Sequence, residues 1–416
     1  MKGVNQMKKV TVDDFSSPEN MHDVIGFYKK LTEHQEPLIR LDDYYGLGPA
    51  WVALRHDDVV TILKDPRFLK DVRKFTPLQD KKDSIDDSTS ASKLFEWMMN
   101  MPNMLTVDPP DHTRLRRLAS KAFTPRMIEN LRPRIQQITN ELLDSVEGKR
   151  NMDLVADFSF PLPIIVISEM LGIPPLDQKR FRDWTDKLMK AAMDPSQGAV
   201  VMETLKEFID YIKKMLVEKR NHPDDDVMSA LLQAHEQEDK LSENELLSTI
   251  WLLITAGHET TAHLISNGVL ALLKHPEQMH LLRDNPSLLP SAVEELLRYA
   301  GPVMIGGRFA GEDIIMHGKM IPKGEMVLFS LVAANIDSQK FSYPEGLDIT
   351  REENEHLTFG KGIHHCLGAP LARMEAHIAF GTLLQRFPDL RLAIESEQLV
   401  YNNSTLRSLK SLPVIF

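Results

Sequence analysis

The one cysteine in 416 residues, Cys366, sits in "HLTFGKGIHHCLGAPLARMEAHIAFG", which runs from His356 to Gly381. A lone thiol is usually a small buried hydrophobe. Here Gly360, Gly362 and Gly368 clear side chains from the backbone around it, His364 and His365 precede it, and a helical apolar pattern follows. Such a loop lets a broad flat group lie against the sulfur. Backbone N–H groups and the N-terminus of the following helix favour a thiolate there.

A second cluster lies in "AGHETT", Ala256 to Thr261, inside a long apolar run. Gly257 costs a helix about 1 kcal/mol against alanine. Glu259 puts a carboxylate where charge is normally excluded. Thr260 can bond the carbonyl four residues back, loosening the helix locally. Three defects in a row on a buried helix point to a site.

Most chemistries these residues suggest fail on geometry. A helical zinc-protease site needs histidines four apart, whereas His258 and His263 are five apart and point about 140° away from each other. Zinc at His364, His365 and Cys366 would lack room and a fourth ligand. A Cys–His nucleophile stays open but has no supporting signature. No G-x-S-x-G elbow, phosphate loop or G-x-G-x-x-G fingerprint occurs. A thiolate serving as the single axial ligand of a haem iron uses all the oddities together.

The elements that position these residues read as mostly helical. Periodicity predicts helices at about 112–145, 202–220, 243–274, 287–299 and 369–386, and another in "HPDDDVMSALLQAH". The helix over 243–274 opens on a capping box, Ser242 with Glu245, and stops at Pro276. Its roughly 32 residues span on the order of 48 Å through the interior. Strand signals are "PAWVALR" and the Gly- and Pro-broken hairpins of "RFAGEDIIMHGKMIPKGEMVLFSL". The expected fold is mainly α with minor β, one domain over 1–416: a helix-rich core with a smaller N-terminal β-containing lobe. "KDVRKFTPLQDKKDSIDDSTSASK" reads as a mobile surface loop.

A net charge of −11 argues against nucleic-acid binding. One cysteine suits a reducing cytoplasm. The longest apolar stretch, "FPLPIIVISEMLGI", is too short to cross a bilayer. A cytoplasmic protein without membrane attachment is expected.

The sequence resembles the cytochrome P450 family in its soluble bacterial form. The pattern F-G-x-G-x-H-x-C-x-G is present in full as Phe359, Gly360, Gly362, His364, Cys366 and Gly368. "AGHETT" is similar to the family's oxygen-activation motif, with Glu259 as the acid and Thr260 as the alcohol. "EELLR" gives its E-x-x-R pair, Glu295 and Arg298, which the resemblance joins to Arg351. "DPPDHTRLRR" looks like the family's third helix. The resemblance implies a haem b (iron protoporphyrin IX) ligated by Cys366, with a long central helix over it. His112, Arg116, Arg308, His356 and His364 would meet the propionates. The match runs from about Trp51 to the closing "LPVIF". Ile336 and Ser338 in "ANIDS" depart from the family's A-N-R-D-P, and Ser408 stands where glycine is common.

The implied activity is a haem-thiolate monooxygenase inserting one atom of O2 into a lipophilic small molecule. Electrons would come from a separate ferredoxin or flavodoxin and its reductase, and the enzyme would be a monomer. A peroxide-driven fatty-acid peroxygenase usually lacks the acid–alcohol pair, and a haem sensor would not need one. Leu252, Ala256, Val303, Met304 and Ile305 should line the substrate pocket. Met98, Met99, Met101 and Met104 should lie in the loop covering it, where methionine suits an adaptable apolar surface. "DHTRLRRLASKAFTPR" carries five basic residues against one acidic, a docking patch for an acidic redox partner.

Overall fold

A computed structural model describes residues 10–75, 101–184, 187, 198–236 and 241–416, apart from 16, 35, 45–47, 122, 182, 403 and 405. Met98, Met99 and most of the polar stretch after Phe75 lie outside the described residues.

The periodic segment at 112–145 is two helices, α1 (Asp111–Lys121) and α2 (Pro125–Glu147). Thr124 makes the break. Its hydroxyl accepts from the Met127 N–H at 3.2 Å, and Pro125 opens the new helix. Arg126 therefore belongs to α2 and not, as the sequence suggests, to the end of the preceding helix. Next come α3 (Pro161–Met170), two helices at Gly198–Asn221 and Val227–Glu236, and the long α4 (Glu243–Lys274). The capping box of α4 is closed in both directions: Glu245 N–H donates to Ser242 Oγ at 3.2 Å, and Ser242 N–H donates to Glu245 Oε2 at 2.8 Å. Then follow α5 (Leu289–Ala300) and α6 (Ala369–Arg386), the helix that leaves the cysteine loop.

The core forms around α4, which packs against α3, α5 and α6. Missing side chains set two of these contacts. A Cβ on Gly268 would fall 2.5 Å from the Phe380 ring of α6, and one on Gly257 would fall 3.3 Å from the Ile167 side chain of α3. Close approach at Gly268 fixes how far the cysteine-bearing segment stands from the central helix.

The larger sheet has strand order β1-β2-β5-β4-β3, from β1 (Leu38–Leu41), β2 (Ala50–Ala53), β3 (Phe68–Leu69), β4 (Ile305–Ala310) and β5 (Met326–Ser330). N-terminal strands thus pair with strands from the far end of the sequence: β2 runs parallel to β5, and β4 lies antiparallel to both β5 and β3. Within the "RFAGED…" stretch, Ile314–Met316 and Lys319–Ile321 form a separate hairpin. Among the described residues, no helix is long and apolar enough to cross a membrane.

Candidate functional site

The cysteine loop is shaped by its glycines. Gly360 and Gly362 have φ of 67° and 74°, and a Cβ on Gly362 would lie 2.5 Å from the Leu63 carbonyl oxygen. Glycine alone meets both demands. The Cys366 N–H donates to the Phe359 carbonyl at 2.9 Å, which turns the sulfur toward a cavity of about 380 Å³. Burial in the protein pushes the thiol up. The Gly368 N–H, the Arg116 guanidinium, the Ala369 N–H and Arg373 pull the other way, all favouring thiolate.

The opposite wall of the cavity belongs to α4: Leu252, Ala256, Gly257, Thr260 and Leu264. The Thr260 hydroxyl donates to the Ala256 carbonyl at 2.8 Å. Glu259 lies off the lining, its carboxylate 3.8 Å from Nε2 of the buried His263. Val303 and Met104 also line the cavity, with Phe123, Ile167, Leu253 and Leu297 among the other apolar side chains. Two expected lining residues are elsewhere. Met304 is 1% exposed and packs in the core, because its carbonyl is tied to the Leu331 N–H, and Ile305 begins β4. Neither lines the cavity. Met101 is buried behind it, where its carbonyl takes the Ser248 hydroxyl at 2.6 Å.

At one edge of the cavity a cationic cluster gathers from four segments. His112 of α1 is 2% exposed, lies against His364 with ring centroids 4.3 Å apart and the rings tilted by 57°, and has no hydrogen-bond partner at either ring nitrogen. Burial, then Arg308, His112 and Lys70, push His364 down to about 3, so it is neutral at physiological pH. Burial lowers His112 likewise, with Arg116 next. Arg308 on β4 is 5% exposed, lowered by burial to about 10 and still charged. Arg116 lines the cavity and donates to the His365 carbonyl at 2.6 Å. Lys70 follows β3, with its Nζ on the Gly307 carbonyl at 3.2 Å. Sequence reasoning put Lys70 at the start of a mobile surface loop. Instead Lys70 and Asp71 hold the buried Asp108 carboxylate through their N–H groups, at 2.8 and 3.1 Å. The sequence signal that could have found them is "DPPDH" itself, where Asp108 needs donors.

His356 is placed differently from the expectation. Its Nε2 is 3.1 Å from Glu294, its Nδ1 accepts from the Thr358 N–H at 3.3 Å, and it does not line the cavity. Burial alone would raise Glu294, but hydrogen bonds from Arg373 and His356 hold it at about 2. That ion network, not a propionate, occupies His356. Nearby, Arg298 forks onto Glu295 at 2.7 and 2.8 Å with both side chains fully buried. Arg351 Nε and Asn354 Nδ2 each add 3.0 Å contacts to the same carboxylate.

The basic patch is smaller than the sequence suggests. Arg114 turns inward onto Glu245 and Asp111, and Arg116 is spent on the loop. Arg117, Lys121 and Arg126 are exposed.

These residues fit an iron porphyrin. A sulfur faces an apolar slot, and buried imidazole nitrogens without partners stand beside cations that outnumber the nearby carboxylate. Comparison with known proteins gives the same answer. The family model described as "Cytochrome P450" matches residues 48–403. A cytochrome P450 of Priestia megaterium, CYP107DY1, is 99% identical over 99% of this chain and 100% of its own. A polyketide biosynthesis P450 of Bacillus subtilis, PksS, is 43% identical over 95% of each. Among solved structures, the myxobacterial CYP267B1 in complex with myristic acid superposes with a TM-score of 0.88 at 44% identity, covering 97% of this chain and 99% of that one.

Proposed function

This chain belongs to the cytochrome P450 family, and from that premise we infer a monooxygenase that places one atom of O2 into a lipophilic small molecule on haem b held by Cys366. The carrying observation is the Cys366 sulfur facing Thr260 across an apolar cavity.

The haem, when bound, supplies the activation of O2 and the oxidising power. The protein does the rest. Cys366 would hold the iron as thiolate, its charge stabilised by the Gly368 and Ala369 N–H groups and by Arg116. His112, His364, Arg116 and Arg308 would hold the carboxylates of the porphyrin. Thr260 presents a hydroxyl at the cavity surface, and Glu259, one residue back, exchanges protons with solvent water. Leu252, Ala256, Leu264 and Val303 exclude water and take up the apolar substrate.

The myristic acid in the CYP267B1 structure and the polyketide role in the name of PksS support a lipophilic substrate. The Glu259–Thr260 pair favours O2 over peroxide as oxidant. A chain with one cysteine cannot ligate an iron–sulfur cluster of its own, which supports a separate ferredoxin or flavodoxin as electron donor. The reading includes a cytoplasmic monomer.

The test is the absorption spectrum of the reduced, carbon-monoxide-treated protein. The red-shifted band of thiolate ligation is expected for the natural chain and should vanish in Cys366→Ser. An unaltered pigment in that variant, or a colourless natural protein from porphyrin-fed cells, sinks the reading.

A further inference from the structure

We propose that His263 passes protons from solvent to Glu259 and acts on the reaction only through that carboxylate. The inference rests on the monooxygenase reading above, in which Glu259 exchanges protons beside the cavity.

One polar stripe runs along the buried stretch of α4: Glu259, His263 and Asn267 follow at four-residue steps. Side chains so spaced are neighbours along one side of a helix. His263 and Asn267 are 5% and 3% exposed. The Nε2 of His263 lies 3.8 Å from Glu259 Oε1, longer than a hydrogen bond but within ion-pair range. On the other side of the ring, Nδ1 is buried with no hydrogen-bond partner. One turn on, Asn267 donates Nδ2 to the Arg407 carbonyl at 2.8 Å and to the Ala300 carbonyl at 3.4 Å. Its Oδ1 is then buried and unpaired, as is the Nε of Arg407, the residue whose carbonyl it grips. Buried polar atoms are paired as a rule, with ordered water where the protein does not reach. Water is the ligand this stripe takes, between His263 Nδ1 and Asn267 Oδ1. Arg407 is half-buried, which gives the stripe a way to solvent. Its N–H holds the Pro302 carbonyl at 2.8 Å, directly behind the cavity wall.

An amide in place of His263 could make the same contacts, but only an imidazole can carry a proton across. Its two nitrogens exchange donor and acceptor roles. One proton enters at Nδ1 from the water side, and one leaves at Nε2 for the Glu259 carboxylate. A small rotation of either side chain closes the gap between them. The ring is neutral before and after, its tautomer reversed, and exchange with water resets it. No electron moves, and only N–H and O–H bonds change. Glu259 thus has a proton source on one side, while its neighbour Thr260 lines the cavity on the other.

The experiment uses the holoprotein and the variants His263→Gln and Asn267→Leu. Glutamine keeps an amide for Glu259 and for water but cannot relay a proton. Leucine removes the acceptor for the water and leaves the imidazole. A crystal structure of the natural protein should show one water within hydrogen-bond distance of both His263 Nδ1 and Asn267 Oδ1. Oxidation of the reductant by O2 is then followed in H2O and D2O, at saturating surrogate ferredoxin and reductase. The rate should fall about tenfold in both variants, and the solvent isotope effect should rise because proton supply now limits. A merely structural loss would lower the rate and leave the isotope effect alone. In a Glu259→Gln background, His263→Gln should add no further loss, since it acts through Glu259. The thiolate band should persist in every variant. If Asn267→Leu does not fold, His263→Gln decides alone. A natural rate in His263→Gln, a fall with no rise in isotope effect, an additive loss over Glu259→Gln, or a dry gap between Nδ1 and Oδ1 each overturns the proposal. Absence of the thiolate band in the natural protein would instead strike the haem reading itself.

Discussion

Thr260 spends its hydroxyl proton on the Ala256 carbonyl and keeps its oxygen at the cavity surface. That oxygen can still accept a hydrogen bond, so it can hold a water at the cavity surface. Thr260→Ala removes this acceptor without touching the cysteine loop. The thiolate spectrum should persist, while the share of reducing equivalents released as peroxide rises severalfold. Simultaneous measurement of cofactor oxidation, product and peroxide checks it, and unchanged coupling would remove Thr260 from the role. Such residues were readable because their constraints are local. Gly362 must be glycine for its φ and for Leu63, and Thr260 reaches a carbonyl of its own helix. Side chains whose direction is set by distant partners were not readable. His356 is captured by Glu294 of α5, Met304 by the core, and the polar look of Lys70 hides its contact with the Gly307 carbonyl.

Elements hold the site through one buried carboxylate. Glu295 on α5 receives Arg298, Arg351 and Asn354, and Arg298 also caps the carbonyls of Asn335, Pro344 and Gly346 at 2.7–2.9 Å. The triad thus ties α5 to the segments running toward the cysteine loop. Arg298→Met keeps the volume but leaves Glu295 short of its fully buried partner. The expected loss is roughly 3–5 kcal/mol, because an uncompensated buried charge costs more than the pair gained. Denaturant titration followed by helical signal and by haem absorbance should show both midpoints falling together. A shift under about 0.5 kcal/mol, the size of a surface substitution, would mean the triad carries no such weight. At this scale the sequence was most informative where start and stop signals bracket a periodic run, as Ser242, Glu245 and Pro276 bracket α4. It misled where periodicity ran across a break: apolar spacing continues from α1 into α2, and the Thr124–Pro125 start was passed over. Pairing of β2 with β5, 276 residues away in a parallel register, has no local signal at all.

The whole molecule carries a net charge of −11, yet basic side chains collect where the cysteine loop meets α1. Arg116 anchors on the His365 carbonyl, so the exposed face of α1 that follows, with Arg117 and Lys121, lies beside the loop, and exposed Arg126 opens α2 just beyond. A local positive field on an acidic protein orients an approaching anion more sharply than a uniform charge would. The family works with redox partners, and an acidic ferredoxin or flavodoxin docking here would deliver its electron from the thiolate side. Its second-order rate of reducing the enzyme should then fall steeply between low salt and about 0.5 M, as the Debye length shrinks from tens of ångströms to a few. Stopped-flow reduction across that range gives the slope. Charge removal by Arg117→Gln, Lys121→Gln and Arg126→Gln together should lower the low-salt rate and flatten the dependence, with the thiolate spectrum intact. Arg114→Gln should leave the slope alone, since Arg114 is committed to Glu245 and Asp111. Equal slopes in the natural protein and the triple variant would move the docking face elsewhere.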